Sequence, residues 1–158
     1  MKKTFKKLMA ALLAVALLCA MAVPAFAANA NSNGKITINN ATDDETYTIY
    51  RIFDLESYVK GTGTSDPGRY SYTVSQKWID AGFTSSTAFT NYFTLVNNKY
   101  VKANYSMDAA AFAKAALAFA EEKRIANDGS HVAASGKVEF ASLPTGYYLI
   151  NTTVGTLC

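Results

Sequence analysis

The feature that most constrains the fold is a ten-residue run of mainly β-branched and aromatic side chains at 46–55 (TYTIYRIFDL). Residues of these types fit the half-buried surface of a pleated sheet, so the run predicts a strand. Four shorter segments, before and after this run, alternate apolar and polar residues in the way that half-buried strands do. They lie at 36–38, 70–74, 137–140 and 147–153. The chain is therefore predicted to be mainly β.

One long helix is predicted between these strands, at 108–124 (DAAAFAKAALAFAEEKR). Alanine has the highest helix propensity, Ser106 can cap the start, and Lys123 and Arg124 suit the negative end of the helix dipole. The apolar residues form one face, as in a helix that lies on a sheet. The remaining predictions are helical turns at 76–83 and 86–93, hairpins turning at 59–69 and 97–99, and a polar linker at 127–135. Strands from both ends thus bracket a helical insertion in a mostly antiparallel β domain.

The first 27 residues have the three parts of a bacterial secretory signal. Four lysines precede a 16-residue apolar run at 8–23, and the small residues Ala25 and Ala27 form a cleavage site before Ala28. A signal-peptide helix that is removed on export is therefore predicted.

A transmembrane anchor and a lipoprotein signal at Cys19 are the alternatives for this segment. The apolar run is shorter than the roughly 20 residues that a spanning helix needs. A lipoprotein signal requires a small residue before the cysteine, and Leu18 stands there. Cleavage at Ala27 also removes Cys19, which leaves Cys158 as a single thiol, so no intramolecular disulfide is expected.

Removing the signal changes the charge and sets the domain bounds. Four of the 15 basic residues lie in the signal, which leaves 11 against 12 acidic residues. This near-neutral balance argues against a nucleic-acid-binding surface. Residues 28–34 are small and polar and predict a flexible lead-in, and a single domain is expected over 35–158.

Side chains that could carry chemistry are few. His131 is the sole histidine and falls in the predicted linker at 127–135, where a solvated position is expected. One histidine and one terminal cysteine cannot assemble a zinc site. The acidic run at 43–45 lacks the spacing of a calcium loop and predicts a solvated turn. The sequence therefore predicts no catalytic residue, no metal ligand and no cofactor.

Three segments carry a resemblance that covers nearly the whole chain in order. They are GKITINNATDDETYTIYRIFDLESY at 34–58, AAAFAKAALAFAEEKRIA at 109–126 and FASLPTGYYLINTTVGTLC at 140–158. With the signal, they resemble the N-terminal region of Gram-positive fimbrial subunits, the sortase-assembled pilin backbone proteins with isopeptide-forming domains. The resemblance implies an Ig-like or collagen-adhesin-B-like antiparallel β-sandwich that serves as the first domain of a fibre shaft.

The resemblance also implies neighbouring pilin subunits and sortase as partners. Related subunits are joined by sortase through a lysine in a Tyr-Pro-Lys motif and an L-P-x-T-G sorting signal, and neither motif occurs in this sequence. The stretch at 143–146 (LPTG) is one residue short of the sorting signal and predicts a turn before a strand. The chain alone is expected not to polymerise. It looks like a truncated product or a fragment, with those partners bound through missing regions.

Domains of this family can form a Lys–Asn amide crosslink promoted by a buried acid. The family lysine lies on the first strand and the acid follows the L-P-x-G turn, but the comparable stretches here read Ile38-Asn39-Asn40 and Ile150-Asn151-Thr152. Both residues are replaced, and Lys35 with Asn151 is the remaining candidate pair.

Three functions follow from these observations. The first is a non-catalytic shaft domain that is secreted and displayed at the cell surface, with membrane contact only through the signal before cleavage. The alternative is an adhesin module that binds a host protein or glycan through exposed aromatic residues such as Tyr58, Tyr70, Tyr72 or Tyr92. A secreted enzyme is less favoured because convergent catalytic residues are lacking.

Overall fold

The computed structural model describes residues 34–62, 68–153 and 155–157. The predicted signal at 1–27, with its cleavage residues Ala25, Ala27 and Ala28, lies outside these residues. The strands are β1 (Gly34–Asn39), β2 (Thr46–Val59), β3 (Arg69–Val74), β4 (Phe93–Val96), β5 (Tyr100–Ala103), β6 (Gly129–Val132), β7 (Lys137–Leu143), β8 (Gly146–Thr152) and β9 (Gly155–Leu157). The helices are α1 (Gln76–Asp80), α2 (Thr87–Thr90) and α3 (Ala109–Lys123), and a 3-10 turn spans Phe83–Ser85.

The long strand β2 organises the larger of two antiparallel sheets. Its strands run in the order β4, β5, β3, β2, β8, β9, and β6 pairs with the first part of β2 on the same edge as β3. The second sheet contains β1 and β7. Strands that precede the helices in the chain are therefore neighbours of strands that follow them, in both sheets.

The larger sheet is covered on both faces. On one face, Tyr47 and Ile49 of β2 pack with three residues of β7, which are Val138, Phe140 and Leu143. The two sheets thus enclose an apolar layer, and the predicted antiparallel β-sandwich is confirmed. On the opposite face lies a larger aromatic cluster that joins the sheet to the helices.

Helix α3 forms because an alanine-rich segment meets this aromatic face. Phe112 is fully buried and Phe119 is 8% exposed, while Ala113 and Ala116 allow a close approach to the sheet. The ring of Phe112 lies 4.8 Å from that of Phe93 and 6.2 Å from that of Phe53 on β2. The predicted role of α3, packing on the sheet, is confirmed.

Three details differ from the sequence predictions. The helix is capped by Asp108, whose carboxylate accepts from the backbone N–H groups of Ala110 and Ala111, and Ser106 is not the cap. The predicted linker at 127–135 contains β6, because the edge of β2 recruits a strand from it. Gly34, placed in the flexible lead-in, is the first residue of β1.

Two turns follow local chemistry. The β4–β5 hairpin turns at Asn97 and Asn98, which both have positive φ, as a type I′ turn requires. The stretch at 143–146 joins β7 to β8, and a Cβ on Gly146 would lie 2.4 Å from the carbonyl oxygen of Phe53. Glycine is thus needed there so that β8 can approach β2, and the resemblance to a sorting signal has a packing explanation.

Candidate functional site

The most developed polar cluster lies where β2 lacks a strand partner. One edge of β2 pairs with β6 as far as Ile49 and with β3 from Phe53 onward, so Arg51 falls in the gap. The cluster around this gap, called the β2 joint below, consists of Arg51, Asp54, Ser75, Lys77, Asp128 and Tyr148. It joins β2, β8, α1 and the segment before β6.

Side chains replace the missing strand in the joint. The Arg51 N–H donates to Asp128 Oδ2 at 2.6 Å, and the Arg51 carbonyl accepts from the hydroxyl of Ser75 at 2.8 Å. Ser75 is 2% exposed, and its N–H donates to the carbonyl of Ile52. The backbone polar groups in the gap are therefore satisfied, as buried peptide groups must be.

Lys77 neutralises the carboxylate that fills the gap. Its ammonium contacts Asp128 Oδ2 and also donates to the carbonyl of Ala126 at 2.8 Å. The side chains of Lys77 and Asp128 are 29% and 26% exposed. Because the pair is only partly hydrated, its interaction is stronger than that of a fully exposed ion pair.

Arg51 and Asp54 form a second, less favourable pair. Arg51 Nε lies 3.1 Å from Asp54 Oδ1, but neither atom makes a hydrogen bond within the described part of the chain. Burial raises the pKa of the Asp54 carboxyl, and the nearby Asp128 adds to the rise, while Arg51 and Lys77 oppose it. Desolvation thus outweighs attraction at this carboxyl.

Tyr148 borders the joint on β8, opposite Arg51. Its hydroxyl donates to the carbonyl of Pro144 at 2.6 Å, which ties the strand to the preceding turn, much as a tyrosine corner does in β-sandwich proteins. Burial raises the pKa of the Tyr148 hydroxyl to about 12. The phenol is therefore neutral at physiological pH and serves as a hydrogen-bond donor.

The protonation of Asp54 gives a testable pH dependence. Because its folded-state pKa lies above the ordinary value of 3.8, the folded protein takes up a proton at this carboxyl at a higher pH than the unfolded chain does. Ionised Asp54 therefore opposes folding at neutral pH, and its contribution improves as the pH falls through the raised pKa toward 3.8. We expect Asp54→Asn to be at least as stable as the parent at pH 7 and to lack this part of the pH profile.

Urea unfolding of both proteins across the acidic range measures the difference. Asp80→Asn serves as the control, because Asp80 is exposed and bonds only to Gln76 among the described residues. A marked loss of stability at pH 7 in Asp54→Asn alone, with an unchanged profile, would show that the Arg51 pair stabilises the fold instead.

The candidate crosslink residues occupy different sheets. Lys35 lies on β1, and its ammonium is 3.3 Å from Glu139 Oε2 on β7. Asn151 lies on β8, opposite Thr48 of β2 and Thr156 of β9. An amide between Lys35 and Asn151 stays a prediction that intact-mass measurement tests, because its formation releases one ammonia.

The other polar groups offer little chemistry. His131 lies on β6, not in a loop, and is exposed near the ring of Phe140. Asp43 accepts from the N–H of Gly136, which gives the acidic turn a structural contact. Within the described residues, no group of histidine, cysteine and acidic side chains could hold a metal ion. No helix in that same part of the chain is long and apolar enough to cross a membrane.

A surface groove of about 590 Å³ lies between α3 and the segment at 81–92. Its lining consists largely of small side chains, with Tyr92 and Phe119 among them and the Glu122–Lys123 ion pair at the helix end. None of the residues of the β2 joint lines this groove. The carboxylates of Asp54 and Asp128, each paired with a basic side chain, thus do not line this groove.

The β2 joint is best explained as a structural brace. Its polar groups are arranged around a break in strand pairing, and its charged side chains mainly contact one another or backbone groups. An enzyme site would need such groups to converge on a cavity that admits a substrate.

Comparison with family models, with curated proteins and with solved structures finds no match to this chain.

Proposed function

We propose that this chain is a non-catalytic structural domain of a Gram-positive pilus or fimbria, exported and displayed at the cell surface. The observation that carries the proposal is the position of the segments that resemble pilin subunits. The first contributes β1 and β2, and the last contributes part of β7, β8 and β9. These strands pair with each other in both sheets, and the helical segment packs across them.

This arrangement suits a domain that bears tension. An eight-residue segment of β2 is paired antiparallel with the seven residues of β8, from Tyr47 opposite Thr152 to Asp54 opposite Gly146. A pull on the two ends of such a pair loads many backbone hydrogen bonds together, provided that the force runs along the strands. Polar bracing at the β2 joint adds side-chain contacts next to this pair. A fibre shaft needs this kind of resistance and needs no catalytic site.

The experiment is an immunoblot of cell-wall extracts from the producing bacterium, probed with antibody against this protein after boiling in detergent. Because the residues given contain neither a sorting signal nor a Tyr-Pro-Lys motif, we expect this domain to enter a ladder of high-mass species as part of a longer subunit, together with antibody-labelled filaments at the cell surface. A strain lacking its sortase genes is the matched control and should lose the ladder. A single low-mass species confined to the cytoplasm or the medium of the parent strain would contradict the proposal.

An adhesin is the second candidate function, and the four tyrosines considered for it differ in exposure. Tyr58 and Tyr70 are 48% and 53% exposed, whereas Tyr72 and Tyr92 pack partly against the aromatic core. Burial of all four would have argued against adhesion. The exposed pair supports a binding surface on a domain whose main proposed role is structural.

A further inference from the structure

Three tyrosines form a stacked row on the β2–β3 hairpin. Tyr58 and Tyr70 are directly opposite each other on the two strands, with ring centroids 4.6 Å apart and planes inclined by 27°. Tyr72 follows two residues later on β3, 6.4 Å from Tyr70 and inclined by 19°. These three residues are called the tyrosine surface below.

The tyrosine surface begins at the core and runs outward. Tyr72 packs against the aromatic cluster beneath the helices, but Tyr58 and Tyr70 are not part of that cluster. The spacing along the strand explains this difference in packing. Residues two apart on a strand share a face, so Tyr70 lies on the same face of the sheet as Tyr72 but beyond the buried region. The outer two rings are consequently about half exposed. Their stacking pre-orders them, which lowers the entropy lost on binding a ligand.

The size of the surface excludes a stable protein interface built on it alone. A tyrosine offers about 150–250 Å² when fully buried, so two half-exposed rings offer on the order of 200 Å². A stable protein complex buries about 800 Å² on each partner. The available area instead matches one or two sugar rings.

The chemistry of the surface also favours a sugar. Its three members are uncharged at neutral pH and combine apolar ring edges with hydroxyl groups that both donate and accept hydrogen bonds. The neighbouring Tyr58 raises the pKa of the Tyr70 hydroxyl above its ordinary value of 10.0. An uncharged glycan has the same alternation of apolar C–H patches and hydroxyls, whereas a charged ligand would find no countercharge among these three side chains.

We propose that the tyrosine surface is a binding site for an uncharged glycan, which places one or two sugar rings against Tyr58 and Tyr70. This site gives the adhesin candidate a ligand class, and its binding can be measured on the single domain without the fibre. Sugar C–H groups contact the exposed rings, and sugar hydroxyls bond to the phenol oxygens. A single-domain site of this size binds weakly, so a fibre that repeats the domain gains affinity through multivalency.

The test is a titration of the purified, ¹⁵N-labelled protein with four uncharged hexasaccharides, the malto-, cello-, chito- and mannohexaoses, followed by amide chemical shifts. We expect at least one sugar to shift resonances of 57–59 and 69–72 selectively. Tyr58→Ala/Tyr70→Ala should weaken that binding by about tenfold or more. Tyr58→Phe/Tyr70→Phe should keep the stacked rings and lose only the part of the binding affinity that depends on the hydroxyl groups.

Tyr105→Ala is the matched control, because Tyr105 is fully exposed and lies outside the tyrosine surface. It should bind the sugar as the parent does. A well-dispersed amide spectrum identifies variants that remain folded, and the Phe double variant supplies the comparison if the Ala double variant unfolds. Absence of shifts with all four sugars, shifts confined to other residues, or equal losses in Tyr105→Ala and the Tyr58 and Tyr70 variants would each overturn the proposal.

Discussion

Replacing Phe112 by alanine is expected to lower the free energy of unfolding by about 3–5 kcal/mol. Phe112 is fully buried at the centre of the aromatic layer, and α3 is held to the sheet through its ring. Four aromatic rings surround it at centroid distances of 4.8 to 6.5 Å, those of Phe53, Tyr92, Phe93 and Tyr147. Truncation removes these contacts and leaves a cavity that rigid neighbours cannot fill. Since domains are commonly stable by only about 5–15 kcal/mol, the variant should be close to unfolding.

Urea unfolding followed by circular dichroism measures this effect. Tyr105→Ala removes an aromatic ring that is fully exposed, and it should change the stability by no more than about 0.5 kcal/mol. Phe112→Leu retains most of the apolar volume, so its free energy of unfolding should lie between those of Phe112→Ala and Tyr105→Ala. It preserves the comparison if Phe112→Ala does not fold. Equal stabilities for Phe112→Ala and Tyr105→Ala would show that α3 does not pack on the sheet through this ring.

Replacing Asp128 by alanine is expected to cost about 2–3 kcal/mol. The change removes the acceptor of the Arg51 N–H in the gap between β6 and β3 and leaves Lys77 without its carboxylate. Asp128→Asn keeps an oxygen that can accept from Arg51, so it should cost about 1 kcal/mol. Lys77→Met removes the cation of a partly exposed pair and its hydrogen bond to the Ala126 carbonyl, and its cost should be at most about 1 kcal/mol.

The order of the three variants tests the role of the β2 joint. If the carboxylate mainly replaces a missing strand, Asp128→Ala is the most destabilised at both low and high salt. Asp80→Ala is the control, since Asp80 lies on the exposed side of α1. If Lys77→Met were as damaging as Asp128→Ala, and salt removed both effects, the joint would be an ion pair without a backbone role.

Much of the architecture was predictable because local chemistry and burial agree. The run at 46–55 is rich in strand-forming residues and forms most of β2, and the alanine-rich run forms α3. The strand continues to Val59, beyond the predicted end, because pairing with β3 extends it past the strongly apolar positions. The cap at Asp108 differed from the predicted Ser106 because both residue types accept from backbone N–H groups and only the geometry of the turn selects one.

The β2 joint could not be predicted from local patterns. Asp128 and Arg51 are 77 residues apart, and Lys77 comes from a third segment. Polar residues next to glycine, or at the start of a short helix, are common in solvated turns, so nothing in the sequence marks these as partners. The strand β6 was missed for the same reason, since its side chains are mostly exposed and only the open edge of β2 makes it a strand.

The sequence by itself determined that this protein is a mainly antiparallel β domain with one long helix on the sheet, since side-chain periodicity and propensity act over a few residues. Tertiary structure alone decided what fills the gap in β2, which glycine β8 needs, and which tyrosines remain exposed. Each of these depends on groups that are distant in the chain, and the sheet register brings them together. Tyr70 and Tyr72 have the same residue type and lie on the same face, yet only Tyr72 reaches the aromatic core.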